Sequence, residues 1–279
     1  MEFRSADAES RYREIVARAA RTVVGLDFDG TLAPLVDDPE RAHIHPGAAE
    51  VLADLATGVA AIAVITGRPA RQVLALGGLE EVGDALAARG TTLHVFGQYG
   101  NERWSSTQRR IVSPRPPAGL ASFERELPRT LRANDAAEAW VEDKGLAVAV
   151  HTRRMDDPDA AFERLLEPVR ELAEENGLIV EPGRHVVEVR SAGMHKGLAV
   201  RRLVEETGAE GFVFGGDDLG DVEAFEALGA LEDDGLAVLR LASASADGDN
   251  PLVPLADVVV DGPDGVLAFL ARLAADARG

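Results

Sequence analysis

The chain has 279 residues, 46% of them apolar and 28% charged, with a net charge of −19. So acidic a balance excludes nucleic acid and anionic membrane as surfaces the whole molecule would seek, and the absence of cysteine excludes disulfides, thiolate metal sites and cysteine nucleophiles. No apolar run reaches membrane-spanning length and the N-terminus has no apolar signal core, so a soluble, cytoplasmic, monomeric protein of one large or two modest domains is expected.

In chain order, Tyr12, Ile15, Val16 and Ala19 stand at helical spacing and predict a lead-in helix within residues 1–20. Residues 22–26 are a short β-branched, apolar run and read as a buried strand. It runs into Asp27-Phe28-Asp29-Gly30-Thr31. On an extended strand the two carboxylates point the same way, and at the end of a buried strand they repel each other and resist ionisation. A divalent cation relieves both costs, and a solvated acidic turn is the other reading. Residues 33–45 form a Pro- and Asp-rich loop in which His43 and His45 read as surface residues. A helix is predicted over 46–56, after Pro46, and a second buried strand over 59–65. That strand ends in Thr66-Gly67-Arg68-Pro69, before a helix from about residue 70. Hydroxyl, arginine and helix N-terminus together suit a phosphate, although an ordinary β–α turn has the same look.

A helix over 80–89 and a strand over 91–96 continue the alternation, which predicts an α/β fold with a doubly wound parallel sheet. Ligands on such sheets bind beyond the carboxyl ends of the strands, so the Asp27 and Thr66 segments should be neighbours. Residues 97–104, with Asn101 and Glu102, read as a polar loop, and the Pro-rich stretch 113–119 as a linker.

The pattern then changes to helix (120–133), strands (138–142 and 146–151), helix (159–176, with a bend at Pro168), a strand (178–181), a turn at Pro182-Gly183 and a strand (185–190). This α-β-β-α-β-β repeat predicts an inserted α+β unit with helices on one sheet face. The expected division is a core of residues 1–113 and 191–279 around an inserted unit of 114–190. Only Lys144 and Lys196 are lysines among 29 basic residues, which suggests that a compact ammonium is needed at those two positions. Lys196 opens a helix, the unfavourable end for a cation, so it calls for an anionic partner. The next buried strand ends in Gly216-Asp217-Asp218-Leu219-Gly220-Asp221, where Asp221 suits a helix N-cap. Strands over 236–241 and 257–260 and a helix over 266–274 complete the core, and the stretch from Asp247 to Pro251 reads as an acidic loop.

Asp27, Asp29, Thr66, Arg68, Lys196 and Asp217 thus converge as a hard-cation site facing an anion cradle, which implies a phosphate ester. In order and spacing the set resembles the haloacid dehalogenase superfamily. The resemblance implies Asp27 as nucleophile, Asp29 as acid and then base, Thr66 and Lys196 on the phosphoryl oxygens, and Mg²⁺ on the Asp27 carboxylate, the Asp29 backbone carbonyl and Asp217. The inserted unit resembles the cap of sugar-phosphate phosphatases. Residues 141–154 (Val-Glu-Asp-Lys-Gly-Leu-Ala-Val-Ala-Val-His-Thr-Arg-Arg), Val187-Glu188-Val189-Arg190, Lys196-Gly197, Thr66-Gly67-Arg68 and the Gly100-Asn101-Glu102 loop are similar to the trehalose-6-phosphate phosphatase family. That likeness implies a phosphosugar substrate bound through Gly67, Arg68, Asn101, Glu142, Lys144 and Glu188. Two departures are Gly220-Asp221-Val222, where the family continues Thr-Asp-Glu, and Tyr99, where many members have histidine. Phosphatases of sucrose or mannosylglycerate phosphates share the same core motifs. Phospho-acceptor signalling modules also use an acid cluster, Thr and Lys, but are shorter and lack an inserted unit.

Overall fold

A computed structural model describes residues 2–36, 38–183, 185–244 and 250–279. The chain divides into two compact units, Met1–Ser113 with His195–Gly279, and Pro114–Met194.

The first unit begins with β1 (Glu2–Phe3) and the helix α1 (Ala6–Ala17), which buries Tyr12 and Ile15. It continues with β2 (Thr22–Leu26), α2 (Ala48–Leu55), β3 (Ala61–Ile65), α3 (Ala70–Gly77), α4 (Leu79–Ala87), β4 (Thr92–Gly97) and β5 (Glu102–Ser105). The second unit comprises α5 (Leu120–Ala133), β6 (Trp140–Asp143), β7 (Ala147–His151), α6 (Pro158–Glu175), β8 (Ile179–Gly183) and β9 (Val186–Arg190). The chain then returns to the first unit through α7 (Lys196–Thr207), β10 (Gly211–Gly216), α8 (Val222–Asp233), β11 (Ala237–Ala244), β12 (Val258–Asp261) and α9 (Gly262–Asp276).

Among the described residues the first unit holds one sheet in the order β1-β12-β11-β10-β2-β3-β4-β5. Pairing from β12 to β4 is parallel and both edge strands are antiparallel. Every residue of β2 is buried, as its apolar run predicts. A Cβ on Gly25 would stand 2.9 Å from the Phe212 ring, so glycine there lets Phe212 and Phe214 of β10 lie flat across β2. Two hydrophobic clusters cover the two sheet faces, one around Ile15, Leu52, Ile62 and Phe269, the other around Phe96, Leu203, Phe214 and Phe225. The order of chain travel reverses between β2 and β10, with β3 on the far side of β2. Three parallel strands therefore end side by side at the switch point, where such sheets bind ligands.

In the second unit β6-β7-β9-β8 form an antiparallel sheet. Val148, Val150, Val187 and Val189 pack on one face with Phe123, Leu127, Leu165 and Val169 of the two helices. The alternate residues, including Glu142, Ala149 and Glu188, take the other face.

Two expectations are corrected, and two further details are added. Residues 102–105 form β5 rather than loop, because Gln98, Tyr99 and Gly100 all adopt left-handed φ (50°, 57° and 97°) and fold the chain back on β4. Pro182 and Gly183 belong to β8, an edge strand where a missing amide is tolerated, and the turn moves on to His185 at φ 59°. Helix α6 continues through Pro168. The pair Glu2–Phe3 adds an unpredicted edge strand beside β12. Of the acidic loop, Asp247 to Asp249 lie outside the described residues. No described helix is long and apolar enough to cross a membrane.

Candidate active site

Asp27 leaves β2 still paired to β10, its amide donating to the Gly215 carbonyl at 2.8 Å. Phe28 is buried in the core, and the chain turns at once: Leu32 and Ala33 donate back to the Phe28 carbonyl at 2.9 and 2.7 Å. Gly30 makes that turn at φ 71°, and a Cβ there would run into the Asp217 carboxylate. The glycine thus brings two acid-bearing loops within contact of each other. Their backbones are braced from β11. Ser243 Oγ donates to the Gly30 carbonyl at 2.6 Å, and Asn250 Nδ2 donates to the Asp217 carbonyl at 2.6 Å and to the Ser243 carbonyl at 3.2 Å.

Lys196 supplies the charge at the centre. It is 3% exposed, in the first turn of α7, and its Nζ donates to Asp27 Oδ1 at 2.6 Å and Asp221 Oδ1 at 2.7 Å. The anionic partner that its helix position calls for is this pair of aspartates. Asp221 is fully buried, and its other oxygen accepts from the Asp217 and Asp218 amides at 3.0 and 3.4 Å. It stands at the N-cap of α8, as its spacing suggests, but makes no side-chain cap bond there: its carboxylate instead organises the acidic loop and holds Lys196. Asp218 is exposed and accepts the Gly220 amide at 2.9 Å.

Carboxylate oxygens of Asp27, Asp217 and Asp221 all lie within 4.8 Å of one another. Three acids then share one ammonium in a buried place. Burial, followed by the neighbouring carboxylates Asp27, Asp218 and Asp221, pushes the Asp217 carboxyl up to about 10. Burial also raises Asp27 and Asp221, with Lys196 opposing the rise in each. For Lys196, burial pulls downward but the attraction of Asp221 and Asp27 outweighs it, and the ammonium is held charged well above its usual range. A cluster that cannot ionise fully on its own fits a hard divalent cation with oxygen ligands.

Asp29 does not share that environment. The two acids on Asp-x-Asp have different partners: the Asp29 carboxylate receives Arg68 Nε at 2.6 Å and Nη2 at 2.7 Å, a two-pronged ion pair. The resemblance gives Asp29 to a metal through its backbone carbonyl, and its carboxylate is engaged by Arg68.

The anion cradle predicted at residues 66–70 is thus occupied by the chain's own carboxylates. Asp29 takes the Arg68 guanidinium, and Glu102 of β5 takes the Ala70 amide at the start of α3 at 2.7 Å. Thr66 is buried beside them and its hydroxyl accepts the Arg68 amide at 3.1 Å, which leaves its own proton to donate. Tyr99 and Gln98 donate from their amides to the Thr66 and Arg68 carbonyls, both at 2.9 Å. A Cβ on Gly67 would stand 2.8 Å from the Tyr99 ring, so Gly67 admits that ring. Two successive non-glycine residues in the left-handed region, Gln98 and Tyr99, store backbone strain at this spot. Asn101 donates from Nδ2 to the Gln98 carbonyl at 2.8 Å and steadies the same turn.

In the second unit Glu142 and Glu188 share one sheet face on either side of β7, and Lys144 reaches Glu188. The register aligns Glu142, Ala149, Glu188 and Glu181 in one row across four strands. Each carboxylate of the row has a basic partner: His151 Nε2 lies 3.0 Å from Glu142, Lys144 Nζ 2.5 Å from Glu188, and Arg190 2.8 Å from Glu181. Glu188 is 5% exposed, and its Oε1 is buried without a hydrogen-bond partner among the described residues. An acceptor left so is costly unless something donates to it.

Sequence reasoning missed Asp221 as a buried acid, Glu102 as the partner of α3, and His151, Ser243 and Asn250 as supports. Asp221 was in plain view four residues after Asp217, at a spacing that also suits a cap.

The sheet order, the acids at the switch point and the inserted antiparallel unit define the class. A similar fold occurs in a haloacid dehalogenase-like hydrolase from Bacteroides thetaiotaomicron (16% identity, 90% of this chain and 99% of that one, TM-score 0.62). The C-terminal domain of a C. albicans trehalose-6-phosphate phosphatase shares it at TM-score 0.76 (20% identity, 98% of both chains). Residues 25–104 and 125–251 match the trehalose-phosphatase family, and the chain belongs to that family. Relatives include trehalose-phosphate phosphatase B of Arabidopsis thaliana (28% identical, 79% of this chain and 60% of that protein) and the trehalose-phosphate phosphatase of Mycobacterium marinum (28%, 91% and 62%). A protein of Mycobacterium tuberculosis described as an uncharacterised glycosyl hydrolase is 35% identical over 75% of this chain but only 15% of its own length. The chain therefore spans about 60% of those two phosphatases and a small part of the third relative.

Proposed function

We propose that this chain is a Mg²⁺-dependent phosphatase that hydrolyses trehalose 6-phosphate to trehalose and phosphate through an aspartyl-phosphate on Asp27. The observation that carries this reading is the buried cluster of Asp27, Asp217 and Asp221 around Lys196 at the strand ends, in a chain of the trehalose-phosphatase family.

The Asp27 carboxylate attacks phosphorus as the phosphorus–sugar oxygen bond breaks, and Asp29 gives its proton to the departing alkoxide. Asp29 then takes a proton from water, the water oxygen attacks phosphorus, and the bond to Asp27 breaks to release phosphate. Thr66 and Lys196 donate to the phosphoryl oxygens throughout. Asp27, Asp217 and Asp221, together with the Asp29 backbone carbonyl, would hold Mg²⁺, which when bound neutralises charge on those oxygens. Arg68 holds the Asp29 carboxylate in a two-pronged ion pair, which must open when Asp29 carries the proton. Glu142, Lys144 and Glu188 bind the hydroxyls of the sugar.

Phosphate release from trehalose 6-phosphate, sucrose 6-phosphate, glucose 6-phosphate and a mannosylglycerate phosphate, each with Mg²⁺, tests the reading. Trehalose 6-phosphate should be turned over far faster than the rest. Equal or reversed rates would hand the site to another phosphosugar.

A further inference from the structure

The proposed mechanism makes no use of an aromatic stack at the edge of the second unit. Trp140 of β6 pairs directly with His151 of β7. Their ring centroids are 4.4 Å apart and their planes 24° from parallel. The Arg154 guanidinium also lies over the indole, 4.7 Å from its centroid. Trp140 is only half-buried and is not part of the cluster that forms this unit's hydrophobic core. Its ring stacks instead against polar side chains. One of them, His151, reaches diagonally to Glu142, with Nε2 at 3.0 Å. A nitrogen that faces a carboxylate carries the proton.

These contacts form a chain from indole to imidazole to carboxylate. An imidazole held by one hydrogen bond is free to tilt about its side-chain torsions, and the acceptor geometry at Glu142 would change with it. A stacked indole removes that freedom, because offset ring pairs favour one plane over others. A carboxylate that reads a hydroxyl depends on such orientation, since a hydrogen bond weakens steeply with angle.

We infer that Trp140 is a positioning residue for substrate recognition, acting through His151 to hold the Glu142 carboxylate where it accepts a sugar hydroxyl. The inference rests on the phosphosugar reading of Glu142 given above. Arg154, stacked on the indole, steadies it in turn.

The test is steady-state kinetics on the full chain with two substrates, the phosphosugar that the wild type turns over best and p-nitrophenyl phosphate. Trp140→Ala should raise KM for the phosphosugar about tenfold, the scale of one hydrogen bond to a charged group. It should leave kcat, and all kinetics with the aryl phosphate, within about twofold. Trp140→Phe, which can still stack, should keep most of the wild-type KM. In a His151→Ala background, Trp140→Ala should add less than about a twofold effect, because its route to Glu142 is already cut. The chain has two tryptophans, and Trp104 is 3% exposed in the core of the first unit. The wild-type minus Trp140→Phe emission spectrum therefore reports on Trp140 and should change when trehalose is added. Equal losses on both substrates, or the full loss persisting in the His151→Ala background, would make Trp140 a purely structural residue and overturn the inference. A wild type that hydrolyses the aryl phosphate and no phosphosugar would overturn the functional reading itself, before any variant is made.

Discussion

The two units both gather carboxylates around basic groups, but in opposite proportions. In the first, Asp27 and Asp221 share Lys196, with a carboxylate oxygen of Asp217 within 4.8 Å of theirs. In the second, Glu142, Glu188 and Glu181 each have a basic partner of their own. An excess of buried acid is a charge problem that a cation solves. A row in which each acid has its own basic partner presents donors and acceptors side by side, which suits a neutral polyol. On the proposed function, the same residue types would serve a metal and phosphate on one surface and hydroxyl groups on the other.

Experiments that separate the two surfaces should start with Asp27, the proposed nucleophile. Asp27→Asn keeps the shape of the side chain and removes attack, so turnover of every phosphate ester should fall by about 10⁴ or more, with the circular dichroism spectrum unchanged. Next comes the contrast between units. Lys144→Ala leaves Glu188 buried without its ammonium and should lower kcat/KM for the phosphosugar by roughly 10- to 100-fold, while a small aryl phosphate loses little. A uniform loss would place Lys144 outside sugar recognition and weaken the comparison. A smaller effect should follow from Asn250→Ala. It frees the Asp217 carbonyl, and Mg²⁺ affinity measured by calorimetry should drop about tenfold, as for other supports of metal ligands.

The excess of acid also makes a pH prediction. The Asp217 carboxyl rises from its ordinary 3.8 to about 10 in the folded chain. Between those values the folded state holds a proton that the unfolded state has lost, so metal-free stability falls as pH rises through that window. Bound Mg²⁺ would take the place of that proton. Its stabilisation, read as the shift in Tm between Mg²⁺ and chelator, should therefore be larger at pH 8 than at pH 5, by roughly 5 °C. Asp217→Asn should raise metal-free stability at pH 8 and abolish most of the Mg²⁺ shift. The smallest effect is expected for Glu102→Ala, which uncovers the first amide of α3 and should cost about 1 kcal/mol in chemical denaturation.

Much of the first unit was legible because its signals are local. An apolar run followed by Asp27, by Thr66 or by Asp217 marks both a strand and its functional end. The parallel alternation then places those ends together. The short edge strands were not legible: β5 depends on left-handed Gln98 and Tyr99, which no periodicity announces, and β1 is two residues long. In the second unit the αββαββ order was readable, but the turn at 182–183 was not. A proline on an edge strand looks in sequence like a proline in a turn.

Arg68 shows the boundary most clearly. A guanidinium before a helix suits either a phosphate or a carboxylate, and only the fold brings Asp29, 39 residues earlier, within 2.6 Å of it. Asp221 is similar, since a cap and a buried acid have the same spacing. The sequence by itself determined the central strands, the face each of their residues takes and which chemical groups stand at their ends, because backbone periodicity is local. Tertiary structure alone decided which charge neutralises which. That choice depends on distance and burial, and both are set by the register of strands far apart in the chain.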